Sequence, residues 1–274
     1  MQRQRTIIEP PMGTMLPDLR EVWRYRDLLM LLAWRDISAK FRQSIIGYGW
    51  AIARPLLTAI IYTLVFHFFV RIDTAPIPYT IFAFAGLIPW MYFSNSLSLV
   101  TGSVVGGGGM LTKVYFPRLV LPLSTVAVGL IEVTLQLGVL GLLMVWYQYV
   151  PGIAILCLPL FVGVTLLTTL AFGIWLTALN VKYRDVAMAV PFLIQTWMYL
   201  CPIIYPSSVV PERFRAIYAL NPMVGVIEGF RWCLIGSNPP DWTMMTISMV
   251  AMIVILLGGM FYFRKVETTF ADII

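Results

Sequence analysis

Charged side chains are scarce in this chain: 12% of its 274 residues are Asp, Glu, Lys or Arg, while 59% are hydrophobic. A soluble domain carries about a quarter charged residues, so the composition excludes one and predicts a polytopic membrane protein with a lipid-facing surface. Histidine is scarcer still. His67 stands alone, which excludes a His-rich metal site, and the sequence contains no metal-ligand cluster. The cysteines Cys157, Cys201 and Cys233 lie far apart in apolar surroundings and read as small buried hydrophobes. A phosphate-binding loop is missing too. In GGGGMLTK, Lys113 follows Thr112 rather than Gly and no strand precedes the glycines. Gly106 to Gly109 therefore reads as a flexible break between a span and a short cytoplasmic helix. The chain is expected not to hydrolyse nucleotide and to hold no cofactor or metal of its own. Asp36, Asp73 and Asp185 are too isolated for acid–base catalysis, so no catalytic residue is assigned. The opening MQRQRTIIEPPMGTMLP is polar and proline-broken, and no secretory signal peptide is expected.

What the chain does have is a change of character within RDISAKFRQSIIGYGWAIARPLL, Arg35 to Leu57. Trp34, Ile37, Phe41 and Ile45, spaced +3, +4 and +4, predict one apolar helical face. Asp36 and Lys40 stand in the acid-first order that favours an i,i+4 pair. From Ile45 the chain is apolar for one bilayer thickness. Residues 1–44 thus read as a cytoplasmic N-terminus with an amphipathic surface helix, and 45–274 as a transmembrane domain. The fold class is all-α with six spans, at about Ile45–Val70, Tyr79–Val105, Leu119–Trp146, Ile153–Leu179, Ala187–Pro206 and Met244–Phe263. NVKYRDV, Asn180 to Val186, reads as a short charged loop, and His67 as an interfacial residue.

Between Pro206 and Asp241 the chain is neither loop nor clean span. Two short helices, about Glu212–Leu220 and Met223–Leu234, broken at Asn221-Pro222, suit it. Irregular backbone at membrane depth must be shielded by protein or face water, which a re-entrant hairpin at a pore mouth satisfies. The Lys/Arg distribution sets the orientation. Eight basic residues precede Trp50, and Lys113, Arg118, Lys182, Arg184, Arg264 and Lys265 fall on the same side, against Arg71 and three in the hairpin. Both termini are therefore expected inside. The net charge of +6 follows this pattern of topology signals and anionic lipid attraction, not of nucleic-acid binding.

Several residues are candidate sites. Glu132, the lone acid inside a predicted span, reads as a structural hydrogen bond or interhelical pair, or as lining for a hydrated path. Arg54 reads as a snorkelling cation or as a contact for an anionic substrate group. Trp90, Tyr92 and Phe93 in IPWMYF, with Trp197 and Tyr199 in TWMYL, read as an interfacial belt, as core, or as a conduit wall suited to sugar rings. KVYFPRLVLP and NVKYRDV read as positive-inside anchors or as docking loops for a cytosolic partner. Glu228 and Arg231 are spaced for a local ion pair.

The motifs RDISAKFRQSIIGYGWAIARPLL, GLIPWMYFSNSLS, LTKVYFPRLVLP, NVKYRDV, CPIIYP and LNPMVGVIEGFR occur in that order over nearly the whole chain. In them the chain resembles the membrane subunit of ATP-binding-cassette polysaccharide exporters, the O-antigen, teichoic acid and capsule permeases of the type-2 permease superfamily. The resemblance implies a homodimer around a conduit in the bacterial inner membrane, with two separate ATPase subunits that carry ATP and Mg. It places an interface helix at about Leu19–Arg42. ATPase-coupling contacts fall at Lys113, Tyr115 and Arg118 and at Lys182, Tyr183, Arg184 and Asp185. It places an outer gate after Pro206, with Asn221, Pro222, Glu228 and Arg231, and conduit aromatics at Trp90, Tyr92 and Phe93. Family members often carry polar or charged residues where this chain has Gly106–Gly109, and an uncharged one where Arg54 stands.

An undecaprenyl-diphosphate-linked glycan is too long to be enclosed, so it would be threaded, with Arg42 and Arg54 as candidates for the diphosphate entrance. The nearest alternative is a type-2 permease for a small amphiphile such as a drug or lipid. A membrane-embedded enzyme of glycolipid synthesis lacks its catalytic groupings here. A passive channel does not account for inner loops built like a docking surface.

Overall fold

The computed structural model describes residues 19–41, 49–69, 77–111, 113–236 and 239–267. Among them every regular element is helical and no strand forms. Short α1 (Leu19–Arg24) and α2 (Arg26–Phe41) precede α3 (Gly49–Tyr62), which continues as a π-helical stretch over Thr63–Phe69. Then come α4 (Tyr79–Gly106), one-turn α5 (Gly108–Leu111) and α6 (Val120–Trp146). A 3-10 turn, Ile153–Cys157, leads into α7 (Leu158–Lys182), followed by α8 (Asp185–Met198). The last elements are α9 (Glu212–Ala219), α10 (Pro222–Ile235) and α11 (Trp242–Glu267).

Among the described residues three helical runs are long and apolar enough to cross a membrane: Val120–Trp146, Ile153–Lys182 and Trp242–Glu267. Twenty-six residues, the shortest of them, extend about 39 Å at ~1.5 Å per residue, against a hydrocarbon core of about 30 Å. Their outward sides are apolar, with Leu142, Val145 and Trp146 on α6, Leu160 on α7 and Val254 on α11 all exposed. Lipid is the solvent such faces require. Three threonines of α7 are satisfied locally: Thr165, Thr168 and Thr169 donate to carbonyls one turn back.

The core is organised around α4, which is 28 residues long, uncharged, and packed against α3, α6, α7, α8 and α10. Its residues are buried without interruption from Ile81 to Trp90. A helix enclosed on several sides needs no single apolar stripe, so it tolerates Ser96 and Thr101 in its buried face. Close approach to α6 depends on Gly129, where a Cβ would lie 2.6 Å from Ser96 Oγ and from the Tyr92 ring.

Both expected helices after Pro206 are present as α9 and α10. Asn221 caps α10 by accepting from the Met223 N–H at 3.1 Å, with Pro222 opening the first turn and left-handed Gly236 (φ 58°) closing the last. All of α10 except Glu228 and Trp232 is buried, against α4, α7 and α11.

Two expectations are corrected. Trp34 does not share a face with Ile37: it is 69% exposed, whereas Ile37 is 8% exposed and packs with Ala33 against Val128 of α6. A +3 step leaves two helical side chains about 60° apart, and α2 is apolar on its outward side too, through Met30, Leu31 and Trp34. Asp36 pairs with its neighbour Arg35 at 2.7 Å. NVKYRDV, in turn, is almost entirely helical. α7 runs on to Lys182 and α8 starts at Asp185, so the turn is only Tyr183-Arg184. The Lys40 side chain, Arg42, Ile45, the boundary at residue 44, the side chain of His67 and the loop around Arg71 lie outside the described residues.

Candidate transport site and coupling end

Arg231 on α10 is a buried, multiply bonded cation. Its guanidinium is buried (2% exposed) and donates to the Ile203 carbonyl at 2.7 Å and the Tyr205 carbonyl at 3.4 Å. It also pairs with Glu228 at 3.3 Å and lies over the Phe82 ring of α4, 3.7 Å from the centroid. Gly86 leaves room for it, since a Cβ there would stand 3.0 Å from Nη2. The stretch after α8 is held from other sides as well. Tyr79 donates to the Ile204 carbonyl at 2.8 Å, Asn221 to the Leu200 carbonyl at 3.1 Å, and the Tyr205 and Tyr218 hydroxyls meet at 3.1 Å. The residues after Met198 thus form an irregular plug bonded to α4, α9 and α10. Of the expected gate residues, Asn221, Pro222, Glu228 and Arg231 gather here, while Pro206 lies at the half-exposed end of the same stretch.

The aromatic residues divide. Trp90, Tyr92 and Phe93, expected on a conduit wall, are instead 4%, 2% and 0% exposed, because α6, α7 and α8 cover them. Tyr92 donates to the Val126 carbonyl of α6 at 2.8 Å. Phe93 meets Trp197 edge-on at 5.2 Å, and Phe172 meets the same ring at 4.7 Å. This is packing, and it carries α8 on α4 and α7. Tyr199, at 62% exposed, is the one of the five whose ring is open to its surroundings, and Trp197 is half-buried. The face of α8 bearing Met188, Phe192 and Leu193 is exposed too, with only Val190 and Ile194 of that helix buried.

Glu132 is 7% exposed on α6 and accepts from Asn95 Nδ2 of α4 at 3.3 Å. That is an interhelical bond, placing the carboxylate in the α4–α6 seam. Arg54 is exposed, with its guanidinium 5.9 Å from the Trp50 ring centroid.

The residues expected to contact a partner gather at one end. Tyr115 donates to Glu21 of α1 at 3.3 Å, and burial, then Glu21, then Glu267 of α11 raise its phenol above the ordinary value. Phe116 anchors the 113–118 loop at 3% exposure, while Lys113, Val114 and Tyr115 project outward. Lys182, Tyr183, Arg184 and Asp185 are all exposed, with the Lys182 ammonium 5.1 Å from the Tyr183 centroid and within electrostatic reach of Tyr262 on α11. Both loops, α1 and the end of α11 thus form one polar surface.

Sequence spacing did not point to Asn180. Its Nδ2 donates to the Thr101 carbonyl of α4 at 3.1 Å and its Oδ1 accepts from the Ala187 N–H of α8 at 3.1 Å. Thr177 donates to the Val100 carbonyl at 2.7 Å beside it. An amide at the end of an apolar run was the available signal.

Comparison with known proteins agrees with this architecture. Residues 27–235 match the family model described as ABC-2 type transporter. The chain is 31% identical over 256 residues to the O-antigen export system permease protein RfbA of Myxococcus xanthus, covering 93% of this chain and 98% of that one. It is 29% identical to the protein of the same name in Klebsiella pneumoniae over 250 residues, 90% of this chain and 95% of that one. It is 23% identical to the polysialic acid transport protein KpsM of Escherichia coli over 239 residues, 85% and 91% of the two chains. On the match of its helical bundle from α2 to α10, the chain belongs to the ABC-2 type transporter family.

Proposed function

We propose that this chain is the transmembrane subunit of an ATP-driven exporter that moves lipid-linked polysaccharide, of the undecaprenyl-diphosphate-linked O-antigen type, out of the cytoplasm. The observation that carries the reading is the end-to-end likeness to two O-antigen export permeases. In this reading α3 with its π-helical stretch, α4, α6, α7, α8 and α11 are the six spans, and α9–α10 form a re-entrant gate on the outer side. The basic end, with both termini, faces the cytoplasm of the bacterial inner membrane.

Two copies of the chain enclose the conduit, and the exposed apolar face of α8 is a surface open to the second copy. Tyr199 and the edge of Trp197 supply the aromatic wall, while Trp90, Tyr92 and Phe93 stiffen it from behind. Arg54 stands at the lipid-diphosphate entrance, for which the sequence offers Arg42 as a second candidate. Two cytosolic ATPase subunits, holding ATP and Mg, press on the surface made by the 113–118 loop and the Lys182–Asp185 corner. Motion there passes through α7 and α8 as rigid bodies.

The test is to purify the chain with its ATPase and identify retained lipid-linked sugars by mass spectrometry, alongside surface glycan in a deletion strain. A polyprenyl-linked glycan and loss of surface glycan are expected. A drug-like or simple lipid cargo with surface glycan intact would refute the reading.

A further inference from the structure

A cleft of about 720 Å³ lies between α2, the last turns of α4 and the first half of α6. α2 packs on α6, and the cleft is the gap it leaves beside α4. Arg35 and Asp36 line one side and Ser98, Leu99 and Gly102 the other, with Thr125 in the floor. The volume is that of a small-molecule site.

Its charge is the informative part. Arg35 grips Asp36 twice, through Nη2 at 2.7 Å and Nε at 2.9 Å, and both side chains stay accessible, at 60% and 35%. Among the described lining residues the rim therefore offers one charge of each sign. A bare anion there would meet the carboxylate, and a bare cation the guanidinium. A ligand with a phosphate and a primary ammonium a few bonds apart satisfies both. The Ser98 and Thr125 hydroxyls already donate to the Ser94 and Leu121 carbonyls, which leaves their oxygens as acceptors. Leu99, half exposed, gives hydrocarbon a path outward.

We propose that this cleft binds the headgroup of a zwitterionic phospholipid of the phosphoethanolamine type. The phosphate lies on Arg35, the ammonium on Asp36 and the hydroxyl oxygens, and the chains run out past Leu99. The proposal rests on the proposed function only in placing α2 at the lipid–water boundary, and the lipid is a resident, not the exported cargo.

The experiment is native mass spectrometry of the complete complex after exposure to equal amounts of phosphatidylethanolamine, phosphatidylglycerol and phosphatidylcholine. Phosphatidylethanolamine should be retained about tenfold over the other two, the effect of one charge-assisted hydrogen bond. Gly102→Leu should abolish that preference with assembly and melting unchanged, because a Cβ there meets nothing within 4 Å and the position lines the cleft. Asp36→Asn should shift retention toward phosphatidylglycerol. Equal retention of the three lipids, an undiminished preference in Gly102→Leu, or a polyprenyl diphosphate in their place would overturn the proposal. If Asp36→Asn does not assemble, the headgroup comparison and Gly102→Leu decide it. Lipid retention is read without export, so a wrong cargo assignment leaves this result untouched.

Discussion

Replacing Arg231 by Met removes the group that ties α10 to α4 and to the plug after α8. The variant forfeits the bonds to the Ile203 and Tyr205 carbonyls, the Glu228 pair at 3.3 Å and the contact with Phe82 at 3.7 Å. Ile203 is fully buried, so its carbonyl loses a donor that water cannot replace, at a cost of about 1–3 kcal/mol. The desolvated cation–π contact adds about 2 kcal/mol. Two effects oppose these. The guanidinium no longer has to be desolvated, and its Nε had no partner to lose. The Glu228 side chain, 25% exposed, can rehydrate. The net expectation is a loss of about 3 kcal/mol, at the low end for breaking a buried charged network. Thermal unfolding of the purified complex should show a clear drop, and surface glycan should fall with it. Arg231→Lys should recover only part, since a point charge cannot reach two carbonyls and lie over Phe82 at once. If Arg231→Met melted with the parent protein and exported normally, the clamp would be ornamental and the reasoning wrong.

Other substitutions probe neighbouring links. Asn180→Ala should cost about 2 kcal/mol by orphaning the Ala187 N–H in the first turn of α8 and removing the bond to α4, and should lower export per ATP hydrolysed in proteoliposomes. Phe93→Ala should destabilise by about 3–5 kcal/mol, visible as poor yield and early melting. Tyr199→Ala should leave melting unchanged while reducing glycan export, and normal export would remove Tyr199 from the conduit wall. Gly129→Val should drive α6 off Tyr92 and Ser96 and be recovered only as aggregate in size-exclusion chromatography.

Helices whose ends are written locally were legible from the sequence. Asn221-Pro222 and the glycine after Ile235 bound α10 within a residue or so of the expected limits, because cap chemistry is a property of a few adjacent side chains. Faces were not legible where both sides of a helix are apolar. Trp34 and Ile37 fit one stripe on paper, yet α2 has hydrophobic residues all round and only contact with α6 selects the inner ones. Charge misled at NVKYRDV: Lys182, Arg184 and Asp185 look like loop residues, but at a helix junction they are exposed helix ends. The aromatic residues of α4 failed for a third reason, since an uncharged helix enclosed by neighbours gives no sign of which side is open. For Arg231 the near partner Glu228 could be read by spacing. The stronger partner, Ile203, is 28 residues away and known only from the fold.

The corner between α7 and α8 has a mechanical consequence. Its turn is two residues long, Tyr183-Arg184, and Asn180 bonds both α4 and the start of α8 across it. A long loop dissipates a push as local bending. This one has no slack to bend, so displacement at its tip must appear as tilt in the two helices it joins. α7 is held along its length by α4 and α11, whereas α8 has few neighbours. The more compliant arm is α8, so a force on the corner tilts that helix further than α7.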